Sequence, residues 1–362
     1  MLGVFVCKLL TLHGTNVRAR KGKTMKVKIV TDNVVKVQNT VYAFAQNVNL
    51  LVAIDIATEK ISVLGSIPNE DFLTQFLVGG IVFAQGKLYL IPHHAKEMWI
   101  VDTVSVNWSK YTLDAITTIG NGKFNAAFLY HDCIYMVGFR YPGILVHDVI
   151  NNTDTEYRIF TETDDIVSND GYIRKNCCLR NEVLYAPCMN KNEILYFNMD
   201  DKKWKLFNVG ESKEGFSGIA FYNGHFVLPP RFGRNTIICD GDGQVIKSFE
   251  TSNIEDVFLG AYLFEEKVIV PGKMPTKSLI IDDAKVSLSD KTYLAVGNAD
   301  NMVYTQNKVF VLSIYEDEKL IFSTHTIVDV DRDLLQSVNI KDRILTENNN
   351  GIDLGLFIEL IE

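Results

Sequence analysis

Seven segments of this chain share one plan, a strand, a short polar loop and a second strand, as in VYAFAQNVNLLVAID, LYLIPHHAKEMWIVD and IYMVGFRYPGILVHD. Their closing residues are Asp55, Asp102, Asp148, Asn198, Asp240, Asp282 and Ser323, so they follow one another at intervals of 47, 46, 50, 42, 42 and 41. A period this even means that one supersecondary unit is repeated and that neighbouring units bury each other's faces. Before each segment lies another apolar run ending at a turn (GGIVFAQGK, NAAFLYHDC, SGIAFYNGH), and after it comes a short fourth strand (ISVLGSI, WKLFNV). The apolar residues alternate or run continuously over four to eight positions, with no helical rhythm.

Four strands in a period of about 40 to 50 residues is the arithmetic of a β-propeller blade. The expected fold is therefore all-β. It is a single propeller of about seven four-stranded blades, six being the other count left open, with a short helical C-terminal tail. Residues 1–24 are expected to be a flexible leader, the fold signal beginning near Met25; residues 25–335 are expected to form the propeller and residues 336–362 a helical tail packed on its rim. Lys26 to Thr31 (KVKIVT) is a strand without a blade, and the seventh unit lacks an obvious fourth strand after Ile321 to Val328. The first is expected to complete the last, which would hide two edges open to aggregation.

The residues around the third strand resemble kelch-like propeller repeats. In that family an acidic residue ending the third strand precedes a Trp by six positions, and Asp102 with Trp108 and Asn198 with Trp204 reproduce this spacing. Ile61 and Ile246 hold the same offset from Asp55 and Asp240. The family's paired glycines occur as Gly79 and Gly80, and shrink elsewhere to pairs such as Ala126 with Ala127. The resemblance covers residues 34–330 in plan and carries over no catalytic residue.

Composition narrows the function classes. Hydrophobic residues make up 47% of the chain and charged residues 22%, enough for a packed core. A net charge of −8 argues against a nucleic-acid binder, which relies on a basic surface. The apolar stretch Leu2 to Leu12 contains Lys8, leads into HGTNVRARKGK rather than a cleavage site, and is too short to span a bilayer as a helix. The six cysteines show neither a C-x-x-C pair nor zinc-ligand spacing, and read as buried free thiols in a reducing, cytoplasmic setting. No cofactor or metal signature is present: there is no G-x-S-x-G elbow and no H-E-x-x-H, and the GDG at Gly241 to Gly243 is a hairpin turn rather than a phosphate loop.

The candidate site is the column of loops between second and third strands, which in such a ring share a face with the segments that join successive blades. Aligned, this column contains His93 and His94, Phe139 with Arg140 and Tyr141, Arg231 with Phe232 and Arg234, and Lys273, and its leading positions hold no Asp or Glu. Cations in a concave mouth attract anions, arginine can grip carboxylate or phosphate with two parallel bonds, and the aromatic rings suit sugar faces. The expected role is non-catalytic binding or scaffolding, with a partner protein or an anionic, acidic or phosphorylated saccharide at the mouth. The alternative is a lyase or epimerase acting on acidic or amino sugars. No nucleic-acid or membrane partner is expected, and oligomeric state is left open. The recurring acids Asp55, Asp102, Asp148, Asp240 and Asp282 are read as turn residues whose carboxylates accept backbone N–H bonds.

Overall fold

The computed structural model describes residues 24–29, 31, 33–55, 58, 60–161, 171–210, 215–231, 235–250, 258, 260–264, 267–272, 278–283, 285–289, 303–304, 313–316, 319–323 and 327–331. They form six four-stranded antiparallel sheets, spanning 33–65, 78–111, 124–158, 178–208, 220–250 and 262–289, and a three-stranded sheet over 303–323. In every sheet each strand pairs with the next in the chain. The first strands of neighbouring sheets approach one another, which places them innermost in the ring, and the fold is the expected all-β propeller. The one helical element among the described residues is a single 3-10 turn, Asp114–Ile116. The expected leader, up to residue 23, and the expected helical tail lie outside the described residues.

The middle strands run apolar without a break because both of their faces are covered. In the third blade Tyr135, Val137, Ile144 and Val146 join Leu184, Leu195 and Phe197 of the fourth, whereas Ile134, Met136 and Leu145 join Tyr89, Ile91 and Met98 of the second. Adjacent residues of one strand thus serve two different interfaces, as the two-residue period of a strand requires. The outer strand of the same blade, Thr153–Arg158, is largely exposed and reads TDTEYR. The core is a series of layers between blades.

Close approach of the inner strands fixes small residues. A Cβ on Gly79 would stand 2.0 Å from the Phe124 carbonyl oxygen, and one on Gly80 3.0 Å from the Ala127 nitrogen. Side-chain amides then tie blade to blade: Asn33 Nδ2 donates to Val78 O at 2.7 Å, Asn125 Nδ2 to Ile173 O at 3.1 Å, and Asn176 Oδ1 accepts from both Ile219 N and Ala261 N. On the opposite face the recurring acids cap the turns between third and fourth strands. Asp102 Oδ1 accepts from Val104 N, Ser105 N and Ser105 Oγ, and Asp148 Oδ1 from Ile150 N and Asn151 N. Asn198 and Asp240 accept in the same way.

Closure differs in detail from the expectation. The first strand is Thr24–Lys28, and it pairs antiparallel with Ile327–Asp331, Val27 lying opposite Val328. This two-stranded ribbon is not joined to the three-stranded seventh sheet among the described residues. The stretch read as one strand from Ile321 to Val328 is divided between Lys319–Ser323 and Ile327–Asp331. The division supplies an additional strand, and it is this strand that pairs with Thr24–Lys28.

Candidate functional site

One face of the ring is held together by main-chain hydrogen bonds that alternate between loops after second strands and the segments entering the next blade. Phe76 N donates to Gln46 O, His94 N to Phe76 O, Gly122 N and Lys123 N to His93 O, and Phe139 N to Lys123 O. The belt continues with Tyr172 N to Phe139 O, Met189 N to Tyr172 O and Phe216 N to Cys188 O, reaching Arg231 N to Gly215 O in the fifth blade. Pro92 and Pro187 end the second strands that feed it, where no donor is needed.

Within this belt four rings line up across the second and third blades. His93 and His94 stack with centroids 4.8 Å apart and planes at 25°, Phe139 lies 5.4 Å beyond His93, and Phe76 meets His94 edge-on at 6.1 Å. Phe139 is wedged between glycines: a Cβ on Gly171 would stand 2.3 Å from its ring and one on Gly122 2.9 Å away. Gly122 also adopts φ +78°, a conformation that only glycine takes without strain. His93 Nδ1 is 2.7 Å from Phe124 O and His94 Nδ1 is 3.1 Å from Gln75 O. A carbonyl can only accept, so both Nδ1 atoms carry the proton, which makes Nε2 the basic nitrogen of each neutral ring.

The electrostatics of this corner are cationic. Lys123, at the entrance to the third blade, is only 5% exposed. Burial pulls its ammonium below the ordinary lysine range, with Glu70 acting weakly the other way. His94 is likewise pushed below the usual histidine range by burial, and the charges of Lys123 and Arg140 push it further, against the hydrogen bond to Gln75. Among the described residues, no ion pair holds Lys123 or Arg140.

The remaining expected residues divide. Tyr141, expected to stack on a ligand, is fully buried, and its hydroxyl donates to Glu156 Oε2 at 3.0 Å. Its ring packs on Phe124 inside the layer between the second and third blades, because the chain turns inward directly after Arg140. Arg231, expected at the open mouth, is 6% exposed, and its guanidinium donates to Asn190 Oδ1 at 2.7 Å and Met189 O at 3.3 Å, holding the neighbouring loop. Phe232, Arg234 and Lys273 lie outside the described residues. Lys175 Nζ donates to Asn33 Oδ1, linking the fourth blade's entry to the first blade's inner strand.

The structure thus assembles His93, His94, Phe139 and Arg140, and adds Lys123 and Phe76. Those two were missed because they sit in the segments entering the inner strands, a column the loop alignment did not include. The signal was present in Gly120-Asn-Gly122-Lys123, where Gly122 lets the chain pass under Phe139. Among the described residues no three His, Cys, Asp or Glu side chains group as a metal-binding set, and no helix is long and apolar enough to cross a membrane.

No protein-family model matches the sequence, and no curated relative does. Solved structures match the fold at low identity. A virginiamycin B lyase from Staphylococcus aureus superposes with a TM-score of 0.58 at 12% identity, covering 78% of this chain and 96% of that one. A streptogramin B lyase gives 0.56 at 12% identity, with 82% and 95% covered. The computationally designed Ika8 protein gives 0.54 at 11% identity, with 83% and 88% covered. At such identity the likeness is one of fold: the chain is built as a ring of repeated four-stranded antiparallel sheets.

Proposed function

We propose that the mouth beside the second and third blades binds an anionic ligand of the acidic or phosphorylated saccharide class, and that the protein acts as a binding module. The observation that carries this reading is the convergence of Lys123 and Arg140, two cations without an ion-pair partner among the described residues, on the stacked His93 and His94. Glu70 acts on Lys123 from a distance but forms no ion pair with it, and a buried or half-buried cation so weakly compensated is costly, a cost that an incoming carboxylate or phosphate relieves. The rings of Phe139 and Phe76 supply flat apolar surface at both ends of the histidine pair. The blades are read as kelch-like, on the support of the Gly79–Gly80 contact with the next inner strand and of Trp108, whose Nε1 reaches back 3.4 Å to Leu64 O of the preceding blade. A cytoplasmic setting is part of the proposal, supported by free thiols at Cys133, Cys177, Cys178, Cys188 and Cys239.

The test is a thermal-shift screen with acidic sugars and sugar phosphates, since a ligand of the native state raises the melting temperature by mass action. The expected result is a concentration-dependent rise that Arg140→Glu removes. A flat response to every anion overturns the reading and turns attention to a macromolecular partner.

One observation favours a second reading, a lyase acting on acidic sugars. His94 is held neutral with its Nδ1 committed to Gln75 O, so Nε2 is poised as a general base. Incubation with uronic-acid oligosaccharides, read by absorbance of the new double bond, separates the two. A product signal lost in His94→Ala supports the enzyme, and ligand binding without turnover supports the module.

A further inference from the structure

We infer that Phe76 is the platform of a second sugar subsite, and that the mouth takes an acidic or phosphorylated saccharide of at least two rings, its charged ring at Arg140 and a neutral ring on Phe76. The inference rests on the anion-binding reading of the same site, and adds to it the size of the ligand and the residue that selects for it.

Three observations single out Phe76. It is 43% exposed, although Leu77, the next residue, is buried. Val104 and Ile150, also exposed, lie on turns of the opposite face, and Trp204, Ile246 and Leu288 lie on outer strands. Among the described residues Phe76 is thus the large apolar side chain left exposed on the belt. Its backbone stands at φ +53°, in the left-handed region, which elsewhere in the chain falls mainly to Asn, Asp and Gln, as at Asn152, Asn181 and Asn223. Phenylalanine is strained there, and Asn or Gly would hold the same conformation at lower cost. Strain kept at a solvent-facing apolar residue points to a use for the side chain, because neither the backbone nor the core calls for it. The third observation is its anchoring: Phe76 N–H donates to Gln46 O at 2.8 Å and its carbonyl accepts from His94 N at 3.0 Å, so the ring is presented from a fixed point.

The row of rings that ends at Phe76 differs in charge between its two ends. At the far end a Cβ on Gly122 would stand 2.9 Å from the Phe139 ring and 3.5 Å from Arg140 Cδ, which sets the arginine stem beside Phe139. At the near end Phe76 meets His94 edge-on, and the stacked histidines lie between. Successive centroids are 5.4, 4.8 and 6.1 Å apart, a row too long for one six-membered ring to cover. A saccharide whose anionic group meets Arg140 therefore reaches Phe76 through a further ring. The C–H face of a neutral pyranose is apolar and packs on an aromatic face.

The experiment titrates the full-length protein calorimetrically with glucuronic acid and with cellobiuronic acid, in which a glucose unit is linked to the same acid. The expected result is that the disaccharide binds about tenfold more tightly, the scale of one aromatic contact. Phe76→Gly is expected to remove that gain and leave glucuronic acid binding unchanged. Melts of the free protein supply a readout that a packing role would move the other way: Phe76→Gly and Phe76→Asn are expected to melt no lower than the wild type, since both residues take the left-handed conformation readily. Lower melting of both variants assigns the ring to packing and overturns the inference. Equal affinity of the wild type for the two sugars, or a disaccharide gain that survives Phe76→Gly, overturns it while the anion reading stands. Binding of neither sugar sinks the anion reading and the subsite together. The comparison of the two sugars is made on the wild-type chain, so it does not depend on any variant folding.

Discussion

Lys175 Nζ donates to Asn33 Oδ1 at 2.7 Å, joining residues 142 positions apart and bridging the first and fourth blades. Asn33 is 2% exposed, and its Nδ2 is already committed to Val78 O. Replacing Lys175 by Met keeps the stem and removes the donor, leaving a buried amide oxygen without its charged partner. The expected loss is about 1–3 kcal/mol, measured by urea unfolding, with anion binding at the second and third blades unchanged.

Arg140 and Tyr141 are neighbours in sequence with opposite expected phenotypes. Arg140→Glu reverses a partly exposed charge and should abolish anion-induced stabilisation while leaving the melting temperature of the free protein nearly unchanged. Tyr141→Phe removes a buried hydroxyl that donates to Glu156. It should cost about 0.5–1.5 kcal/mol of stability and leave ligand response intact. Parallel melts of the two variants with and without ligand check both.

Gly79→Ala places a methyl group 2.0 Å from the Phe124 carbonyl oxygen. Main chain cannot yield as a side chain does, so the second and third blades must separate locally, with an expected cost of about 3 kcal/mol or more. Gly120→Ala, where a Cβ meets nothing within 4 Å, is the control and should leave the chemical-denaturation midpoint within experimental error.

His94 has a lowered proton affinity in the folded chain, from burial first and from Lys123 and Arg140 second. Below its ordinary value of 6.5 the unfolded chain therefore binds more protons than the folded one, and stability falls as pH falls through that value. His94→Gln, which keeps a donor for Gln75 O, should flatten this part of the stability profile between about pH 7 and pH 5. An anion in the mouth favours the protonated ring, so affinity should strengthen over the same interval in the wild type and change less in the variant. Denaturant midpoints and ligand titrations at a series of pH values read both effects.

The period of closing residues made the blades legible, because a turn acid such as Asp102 or Asp148 does the same local work in every repeat and is therefore retained in register. The continuous apolar runs were legible for a related reason: a strand covered on both faces leaves no polar positions to interrupt it. Placement around the mouth was harder to read. Arg140 and Tyr141 look alike as candidates until the backbone direction shows one leaving the layer and the other entering it. Arg231 carries the charge expected of a ligand contact and spends it on the Asn190 loop. Lys123 falls outside the compared column, since alignment on one set of loops cannot show which entry segment passes beneath them. The pairing of Thr24–Lys28 with Ile327–Asp331 depended on where the stretch from Ile321 to Val328 is cut, and the cut falls at its polar residues Ser323 to Thr326, a signal that was passed over.

The hydrogen bonds that bind each loop to the next blade's entry are made by peptide groups, which every amino acid other than proline supplies in full. A lineage can therefore exchange the side chains around the mouth one at a time without loosening the ring. Ligand preference in such a protein is free to drift over a frame that stays put, and relatives of the same shape need not share a ligand.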